Sequence, residues 1–271
     1  MKKLPNQKLR LAFGWMPDLP DNRDHQYAAP MAKLRALPAK ADLRKLCPPV
    51  YNQGQIGSCT ANAIAAALEF DRKKQKLADF IPSRLFIYYN ERNMEHSVPL
   101  DSGAQIRDGI KSVGDQGACP EKEWPYDDTP ADANTNVWPA GAKPAQKPPR
   151  SCYTDAKKFV ALNYQRVNRS LAQMKGCLAD GYPFVFGFTV YDSFESAAVA
   201  KSGVLDMPAP KEAVVGGHAV LAVGYDDAAQ RFAVRNSWGA KWGRKGYFTI
   251  PYAYLLTENL SDDFWTIRLV H

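Results

Sequence analysis

The spacing of hydrophobic residues predicts helices mainly in the first half of the chain. Residues 59–74 are rich in alanine, contain no glycine or proline and place apolar side chains on one helical face. Shorter helices are predicted over Ser83–Arg92 and Gly103–Val113. A further helix is expected after Ser170, a residue type that favours the N-cap.

The C-terminal part of the chain is typical of β-strands instead. Strands are predicted over Pro183–Tyr191, His218–Tyr225, Arg231–Asn236 and Gly246–Pro251, with a turn that begins at Asp226. A helical half followed by a sheet half predicts an α+β protein with two lobes.

Proline-rich stretches divide the chain further. Residues 1–46 contain five prolines and are predicted to form an irregular N-terminal arm, with a disordered leader as the alternative. Residues 128–150 are rich in proline and alanine and are predicted to be a long surface loop. This loop would separate a helical lobe of about residues 47–127 from a β lobe of about residues 151–271.

The composition excludes several classes of protein. With 271 residues, 45% of them hydrophobic, the chain is long enough to bury a large core. No apolar run approaches the ~18–20 residues that span a bilayer, and the first residues lack the apolar centre of a signal peptide. We therefore expect no membrane span, while the sequence leaves the compartment open.

The net charge of +7 is concentrated in the arm. Residues 1–46 hold ten Lys/Arg and four Asp, whereas residues 47–271 hold 25 Lys/Arg and 24 Asp/Glu. A nucleic-acid-binding domain normally carries its own basic face, so we expect no nucleic-acid partner. The basic arm is expected to contact an acidic surface, a membrane surface or the rest of this chain.

Five cysteines leave the disulfide pattern open. Their odd number leaves one thiol unpaired in a monomer, and the absence of a C-x-x-C motif argues against a zinc ribbon or a thioredoxin-like site. The sequence does not decide whether Cys47, Cys119, Cys152 and Cys177 form bridges. No metal or organic cofactor is predicted.

Cys59 lies where a cysteine becomes reactive. A glycine-containing loop brings it to the first position of the predicted helix, where free N–H groups and the positive end of the helix dipole stabilise a thiolate. Gln53, six residues earlier, can direct its amide at an oxyanion that also meets the Cys59 N–H. A buried, unreactive cysteine is the alternative.

His218 and Asn236 are predicted to meet across a hairpin. If the hairpin is centred on Asp227, residues 218 and 236 are directly opposite each other, provided that no bulge interrupts the pairing. The imidazole would then exchange the thiol proton, and the Asn236 carbonyl would fix its tautomer. A core histidine satisfied by backbone groups is the alternative.

The sequence resembles the papain-like cysteine peptidases over about residues 42–251. The matching motifs are Asn52-Gln53-Gly54, Gly57-Ser58-Cys59, Ser102-Gly103, Gly217-His218-Ala219-Val220, Val223-Gly224-Tyr225, Asn236-Ser237-Trp238-Gly239, Trp242-Gly243 and Gly246-Tyr247. The resemblance implies a two-lobed fold, with a helical lobe, an antiparallel sheet or barrel lobe, and the active-site cleft between them.

The resemblance also implies a role for each matching site residue. Cys59 would be the nucleophile, His218 the acid/base, Asn236 the residue that orients His218, and Gln53 part of the oxyanion hole. Trp238 would shield the hydrogen bond between Asn236 and His218. The expected substrate-binding residues are Ser102, Gly103, Gly217 and Trp238.

Several positions depart from the family pattern. Ile56 replaces the cysteine that normally pins the nucleophile loop by a disulfide, and Thr60 replaces an aromatic residue. Ser102 and Gly217 also differ from the residues usual in the family. The arm is too short for the long helical pro-domain that is common in the family, so we expect an extended segment that lies on or near the cleft and limits access.

The implied function is hydrolysis of peptide bonds through an acyl-enzyme. The expected protein is a thiol-dependent endopeptidase that acts as a monomer on peptide or protein substrates. Two alternatives are a catalytically silent papain-like binding protein and a glutamine deamidase or transferase that uses the same residues. The resemblance is compatible with export, although no export signal is visible.

Overall fold

A computed structural model describes residues 13–271 of the chain. The helices are α1 (Met31–Arg35), α2 (Cys59–Lys74), α3 (Arg84–Met94), α4 (Ile106–Asp115), α5 (Arg150–Ala156), α6 (Leu171–Ala179), α7 (Ala197–Ser202) and α8 (Tyr252–Leu256). The strands are β1 (Trp15–Met16), β2 (Gln26–Tyr27), β3 (Lys40–Asp42), β4 (Ala104–Gln105), β5 (Ala161–Val167), β6 (Phe184–Tyr191), β7 (Val214–Asp226), β8 (Arg231–Arg235), β9 (Tyr247–Pro251) and β10 (Ser261–Val270).

The helix predicted over residues 59–74 is confirmed, and it lies at the centre of the molecule. Most of α2 is buried, including the polar residues Glu69 and Asp71 near its C-terminal end. Its alanines allow close approach on every side, and it packs against β7 and β10 of the sheet and against α3 and α4. A helix buried on all sides holds its first residue in a fixed position.

The main sheet has the strand order β2-β5-β10-β6-β7-β8-β9, and β3 pairs separately with one end of β7. The predicted strands are confirmed as β6, β7, β8 and β9, with boundaries shifted by a few residues. Strands β5 and β10 were not predicted, and they pair with each other antiparallel. The long strand β7 forms the predicted hairpin with β8 and also packs against α2.

Much of the described part of the arm is irregular, as predicted, but it also forms three short strands and the helix α1, which the sequence did not predict. Strand β1 pairs parallel with β4, β2 extends the main sheet beside β5, and β3 pairs antiparallel with β7. These strands are two or three residues long. They form because an existing strand edge supplies the hydrogen-bonding partners. Residues 1–12 of the predicted arm lie outside the described residues.

The loop of residues 128–150 is partly buried. Trp138 is only 6% exposed, and the Arg92 guanidinium lies 5.2 Å from the centre of its ring. Arg92 also donates to the Pro144 carbonyl at 2.6 Å. The loop is therefore anchored to α3 through a buried cation, whereas the sequence predicted only a surface connection.

All five cysteines are free thiols. Ser170 occupies the N-cap position of α6 as predicted, but its side chain makes no capping hydrogen bond. Within residues 13–271, no helix combines the length and the apolar character needed to cross a bilayer.

Candidate active site

Two chain segments are tied together beside the first residue of α2. The Gln53 N–H donates to the Ser237 carbonyl at 2.8 Å, and the Gly239 N–H donates to the Tyr51 carbonyl at 2.9 Å. Asn52 and Trp238 form an isolated antiparallel bridge between these two bonds. The loop that precedes Cys59 is thus held against the loop that follows β8.

Cys59 is the first residue of α2 and is fully buried. Burial raises the pKa of its thiol to about 12, although backbone hydrogen bonds from Ala219 and Gly14 oppose that rise. The contact with Ala219 places the sulfur against strand β7, one residue beyond His218. Burial thus favours the protonated thiol.

The side chains of His218 and Asn236 meet as predicted, but the predicted strand register is wrong. His218 Nε2 lies 2.8 Å from Asn236 Oδ1. In the hairpin, however, Asp226 pairs with Arg231 and Leu221 pairs with Arg235, with an irregularity between Ala222 and Gly224. The turn is longer than expected and β7 contains a bulge, so residues 218 and 236 are not paired within the ladder. Their side chains bridge the remaining gap.

Aromatic rings enclose the imidazole of His218. The Trp238 ring stacks on it at 5.0 Å between centroids with an interplanar angle of 29°, and Phe188 and Phe194 lie within 6.2 Å. Burial lowers the pKa of His218 to about 4, and the Asn236 hydrogen bond only partly offsets this effect. Among residues 13–271, no hydrogen-bond partner is present for His218 Nδ1.

Gln53 is buried and held on both ends of its amide. Its Oε1 accepts a hydrogen bond from Ser237 Oγ at 2.6 Å, and its Nε2 donates to the Ile56 carbonyl at 3.1 Å. Ser237 follows Asn236 directly, and its own N–H donates to Asn236 Oδ1 at 2.8 Å. A single residue, Ser237, therefore connects the side chains of Gln53 and Asn236.

The loop that precedes Cys59 is also held by residues that the sequence did not indicate. Tyr126 Oη donates to the Gln53 carbonyl at 2.9 Å and lies 2.6 Å from Ser58 Oγ. The Asp101 carboxylate accepts the Gly57 N–H at 3.0 Å and also the Tyr88 hydroxyl. These contacts join sequence positions that are far apart, so no local pattern signals them. They restrain a loop in which Ile56 stands where a disulfide cysteine was expected.

A buried carboxyl group contacts Thr60, the residue that follows Cys59. Thr60 Oγ1 donates to Glu91 Oε1 at 2.6 Å, and Glu91 is fully buried on α3. Burial raises the pKa of Glu91 well above its ordinary value. The sequence showed Thr60 only as a departure from an aromatic residue, without indicating this partner.

The expected substrate-binding residues lie around the same site. Gly103 has a φ of +71°, and a Cβ atom there would come within 2.0 Å of the Gly14 carbonyl oxygen. A Cβ atom on Gly217 would come within 2.6 Å of the Trp15 carbonyl oxygen. The Ser102 hydroxyl instead bonds to Ser97 Oγ at 2.9 Å. Both glycines leave room for an extended backbone, and here that backbone is the arm.

The arm segment Phe13–Trp15 covers the site. The Ala104 N–H donates to the Gly14 carbonyl at 2.7 Å, directly after Gly103. The Phe13 ring lies 6.0 Å from the His218 ring and 6.1 Å from the Trp238 ring. A Cβ atom on Gly14 would come within 1.7 Å of the Gly57 carbonyl oxygen, so only a glycine allows the arm to pass this close to the loop before Cys59.

Potential metal ligands gather elsewhere. Within the part of the chain that the structure describes, the one cluster of three such residues consists of Cys119, Glu123 and Cys152. Cys59 and His218 are not members of it. The candidate site offers a thiol, an imidazole and amide donors, which is a set suited to nucleophilic acyl transfer.

Comparison with known proteins agrees with this chemistry. The family model of the papain family cysteine proteases matches residues 37–255. A peptidase C1-like protein of Acanthamoeba polyphaga mimivirus is 40% identical over 283 residues, covering 95% of this chain and 87% of that protein. Mouse pro-cathepsin H is 29% identical and matches 79% of this chain, which spans 60% of that protein.

Solved structures give the same result for the fold. Xylellain, a cysteine protease from Xylella fastidiosa, superimposes with a TM-score of 0.91 at 50% sequence identity, covering 96% of this chain and 97% of that one. Procathepsin B from Trypanosoma congolense superimposes with a TM-score of 0.75 at 18% identity, covering 97% and 87%, and it shows the fold alone.

The fold and the chemistry of the site define a two-lobed α+β hydrolase that uses a cysteine thiol. The chain belongs to the papain family of cysteine proteases. It is a thiol-dependent peptidase, and the predicted fold class and activity are both confirmed.

Proposed function

We propose that Cys59 is the nucleophile, His218 the acid/base, Asn236 the residue that orients His218, and Gln53 an oxyanion donor. The observation that carries this proposal is the buried 2.8 Å contact between His218 Nε2 and Asn236 Oδ1. This contact occupies one ring nitrogen, leaving Nδ1 for the proton of the thiol. The Ala219 N–H against the Cys59 sulfur supports the same arrangement, because Ala219 follows His218 directly.

In the first half of the reaction, the Cys59 sulfur attacks the carbonyl carbon of the scissile peptide while its proton passes to His218 Nδ1. The oxyanion accepts hydrogen bonds from the Cys59 backbone N–H and the Gln53 amide. His218 then gives the proton to the departing amine as the C–N bond breaks. The product is a thioester between Cys59 and the acyl part of the substrate.

In the second half, His218 removes a proton from water, and the resulting hydroxide attacks the thioester carbon. The C–S bond breaks, the carboxylic acid leaves, and the proton returns to Cys59. The side chains that take part are a thiol, an imidazole and two amides. Trp238 excludes water from the Asn236–His218 contact by stacking on the ring.

The substrates are extended peptide or protein segments, cleaved internally, and the enzyme acts as a monomer. Ser102 and Gly103 would bind the substrate backbone, and Gly217 and Trp238 would border the opposite side of the cleft. The support is the arm itself, because its extended backbone already pairs with Ala104 and passes over Gly103 and Gly217.

The N-terminal arm of residues 1–46 is proposed to block the cleft of a catalytic domain of residues 47–271. Gly14 donates its N–H toward the Cys59 sulfur, so the nucleophile faces a hydrogen-bond donor there. The Trp15 side chain covers Gly187 and Gly217, where any Cβ atom would collide with it. Catalysis therefore requires the arm to leave the cleft.

An epoxide inhibitor that traps nucleophilic cysteines tests the assignment. We expect labelling of one thiol per molecule, mapped by mass spectrometry to Cys59, with peptidase activity lost in proportion. The variant Cys59→Ser should be neither labelled nor active. Cys177→Ser, which alters another fully buried thiol, should behave like the natural chain. Activity that remains in Cys59→Ser, or labelling at Cys177, would refute the assignment.

A further inference from the structure

A second pair of thiols lies outside the active site, between a loop and a short helix. Cys119 lies in the loop that follows α4, and Cys152 lies on α5. Both are buried, with exposures of 0% and 1%, and both are free thiols. Their Sγ atoms and a carboxylate oxygen of Glu123 all lie within 4.8 Å of one another. Neither thiol has a part in the peptidase mechanism.

The backbone holds the two cysteines together without any covalent link. The Cys119 carbonyl accepts the Ser83 N–H at 2.8 Å, and the Ala118 N–H donates to the Phe159 carbonyl at 3.0 Å, just beyond α5. Phe86 and Ala156 complete a small apolar cluster around both side chains. An S–S bond would thus join two side chains that are already neighbours.

We propose that Cys119 and Cys152 form a redox pair, which a low-molecular-weight disulfide such as oxidised glutathione converts reversibly into an intramolecular disulfide. One protein thiolate attacks the small disulfide, forming a mixed disulfide and releasing one thiolate. The second protein thiolate attacks the protein sulfur of that intermediate, and the second small thiolate leaves. Two protein thiols are oxidised, one disulfide is reduced to two thiols, and these two thiols take up both protons.

Glu123 opposes the reaction in its first step. Burial raises the pKa of the Cys119 and Cys152 thiols, and the nearby Glu123 carboxylate raises both further. Thiolate is the attacking species, so the carboxylate of Glu123 slows the reaction of the pair. The disulfide itself carries no charge, so the carboxylate does not disfavour the oxidised form in the same way.

The disulfide would close a loop that supports the active site. Residues 119–152 include Tyr126, whose hydroxyl contacts the Gln53 carbonyl and Ser58 Oγ behind the nucleophile. Closing this loop removes conformations from the unfolded chain and thus stabilises the fold. A reducing agent would open this link again.

The test uses the full-length chain carrying Cys59→Ser, so that neither self-cleavage nor oxidation of the nucleophile interferes. The protein is incubated with oxidised glutathione, free thiols are alkylated, and a non-reducing peptide map is recorded. We expect one linked species that joins the Cys119 and Cys152 peptides. Its melting temperature should exceed that of the reduced protein by on the order of 5–10 °C. A second substitution in the same chain, Glu123→Gln, should accelerate formation of the disulfide.

Two matched controls complete the experiment. In the same background, Cys152→Ser should abolish both the link and the stabilisation, whereas Cys177→Ser should retain both. The comparison of oxidised with reduced protein needs no cysteine substitution in the pair, so a variant that fails to fold does not affect it. The proposal is overturned if, after incubation with oxidised glutathione and unfolding, Cys119 and Cys152 are both still free and are fully alkylated. It is also overturned if purified protein contains stoichiometric zinc that a chelator must remove before the thiols react.

Discussion

Ser237 positions Gln53 through one short hydrogen bond, and this bond carries a clear prediction. Gln53→Ala should lower kcat by about 10²-fold with little change in KM, because the proposed oxyanion donor acts in the transition state. Ser237→Ala should lower kcat by about tenfold, since the Gln53 amide loses its 2.6 Å anchor but remains present. Steady-state kinetics on a fluorogenic peptide would measure both effects.

The matched control for this pair is Ser151→Ala, which removes the hydroxyl of an exposed serine and should leave kcat unchanged. If Gln53→Ala and Ser237→Ala raised KM instead and left kcat intact, Gln53 would be a substrate-binding residue and not an oxyanion donor.

The buried carboxyl group of Glu91 makes stability depend on pH. Its pKa is raised in the folded chain by burial, so the folded state holds its proton more tightly than the unfolded state. The stability is therefore fully present below the ordinary carboxyl pKa and falls as the pH rises toward the raised value. Glu91→Gln, which retains the contact with Thr60, should melt several degrees higher than the natural chain at mildly alkaline pH.

Thermal unfolding at a series of pH values tests this prediction. The difference between the two proteins should disappear in acid, where Glu91 is protonated in both states. Glu258→Gln, at an exposed position, is the control and should follow the natural chain at every pH. A constant difference between Glu91→Gln and the natural chain across the whole pH range would show that packing, and not ionisation, determines the effect.

Among the elements of the fold, the arm gives the sharpest test of the proposed inhibition. Gly14→Ala would place a methyl group 1.7 Å from the Gly57 carbonyl oxygen, which the arm can avoid only by moving away. We expect the full-length variant to hydrolyse a small fluorogenic peptide about tenfold faster or more than the natural chain. Leu19→Ala, at an exposed arm position, should leave the rate unchanged.

A single substitution is preferable to removing the whole arm. Deleting residues 1–40 would also remove strand β2 and the buried Tyr27 and Ala29, so a loss of activity would report unfolding. Equal rates for Gly14→Ala and the natural chain would mean that the arm does not limit access to the cleft.

How far the sequence predicts each element depends on the range of the interactions that stabilise it. Helix α2 was predicted to its exact ends because its alanine-rich, unbroken pattern is local. Strands β1 and β2 were not, because two residues in a strand have no pattern of their own and depend on the edges of β4 and β5. The predicted register of the hairpin was wrong because β7 contains a bulge, and no pattern in the sequence indicates a bulge there.

The residues of the candidate site follow the same rule. Cys59, Gln53, His218 and Asn236 can be proposed from the sequence because their motifs are contiguous and the chemistry restricts the residue types. Their supports, such as Tyr126, come from segments far away in sequence and act through single side-chain hydrogen bonds. The sequence contains these residues, but only the fold shows which atoms they contact.

At the scale of the whole molecule, a charged network holds the arm to the rest of the chain. The Asp263 carboxylate accepts the Trp15 indole N–H at 3.0 Å and the Asp18 backbone N–H at 2.8 Å. Arg166 on β5 forms ion pairs with Asp263 at 2.8 Å and with Asp18 at 3.2 Å. Arg107 on α4 pairs with Asp24 at 2.6 Å. The arm thus brings two carboxylates, Asp18 and Asp24, to the cations Arg107 and Arg166. Asp263, which lies outside the arm, already pairs with Arg166.

This network makes arm binding sensitive to pH. Burial first, and then the neighbouring Asp18 carboxylate, raise the pKa of Asp263 to about 7, and Arg166 only partly opposes this. When the arm leaves, Asp18 leaves with it and Asp263 gains access to water, so its pKa falls. The docked state therefore holds the proton more tightly, and docking is strongest in acid and weakens as the pH rises through about 7.

The ratio of peptidase rates, natural chain over Gly14→Ala, measures this effect because the pH dependence of the chemistry is common to both. We expect the ratio to rise several-fold from about pH 6 to about pH 8 as the arm dissociates. Asp263→Asn removes the titrating group. Asparagine also tolerates the left-handed backbone at this position, where φ is +59°. In that variant the ratio should be nearly flat, whereas Asp262→Asn, with a half-exposed side chain that also pairs with Arg166, should retain the rise. A ratio that falls with pH would place the controlling group elsewhere in the arm interface.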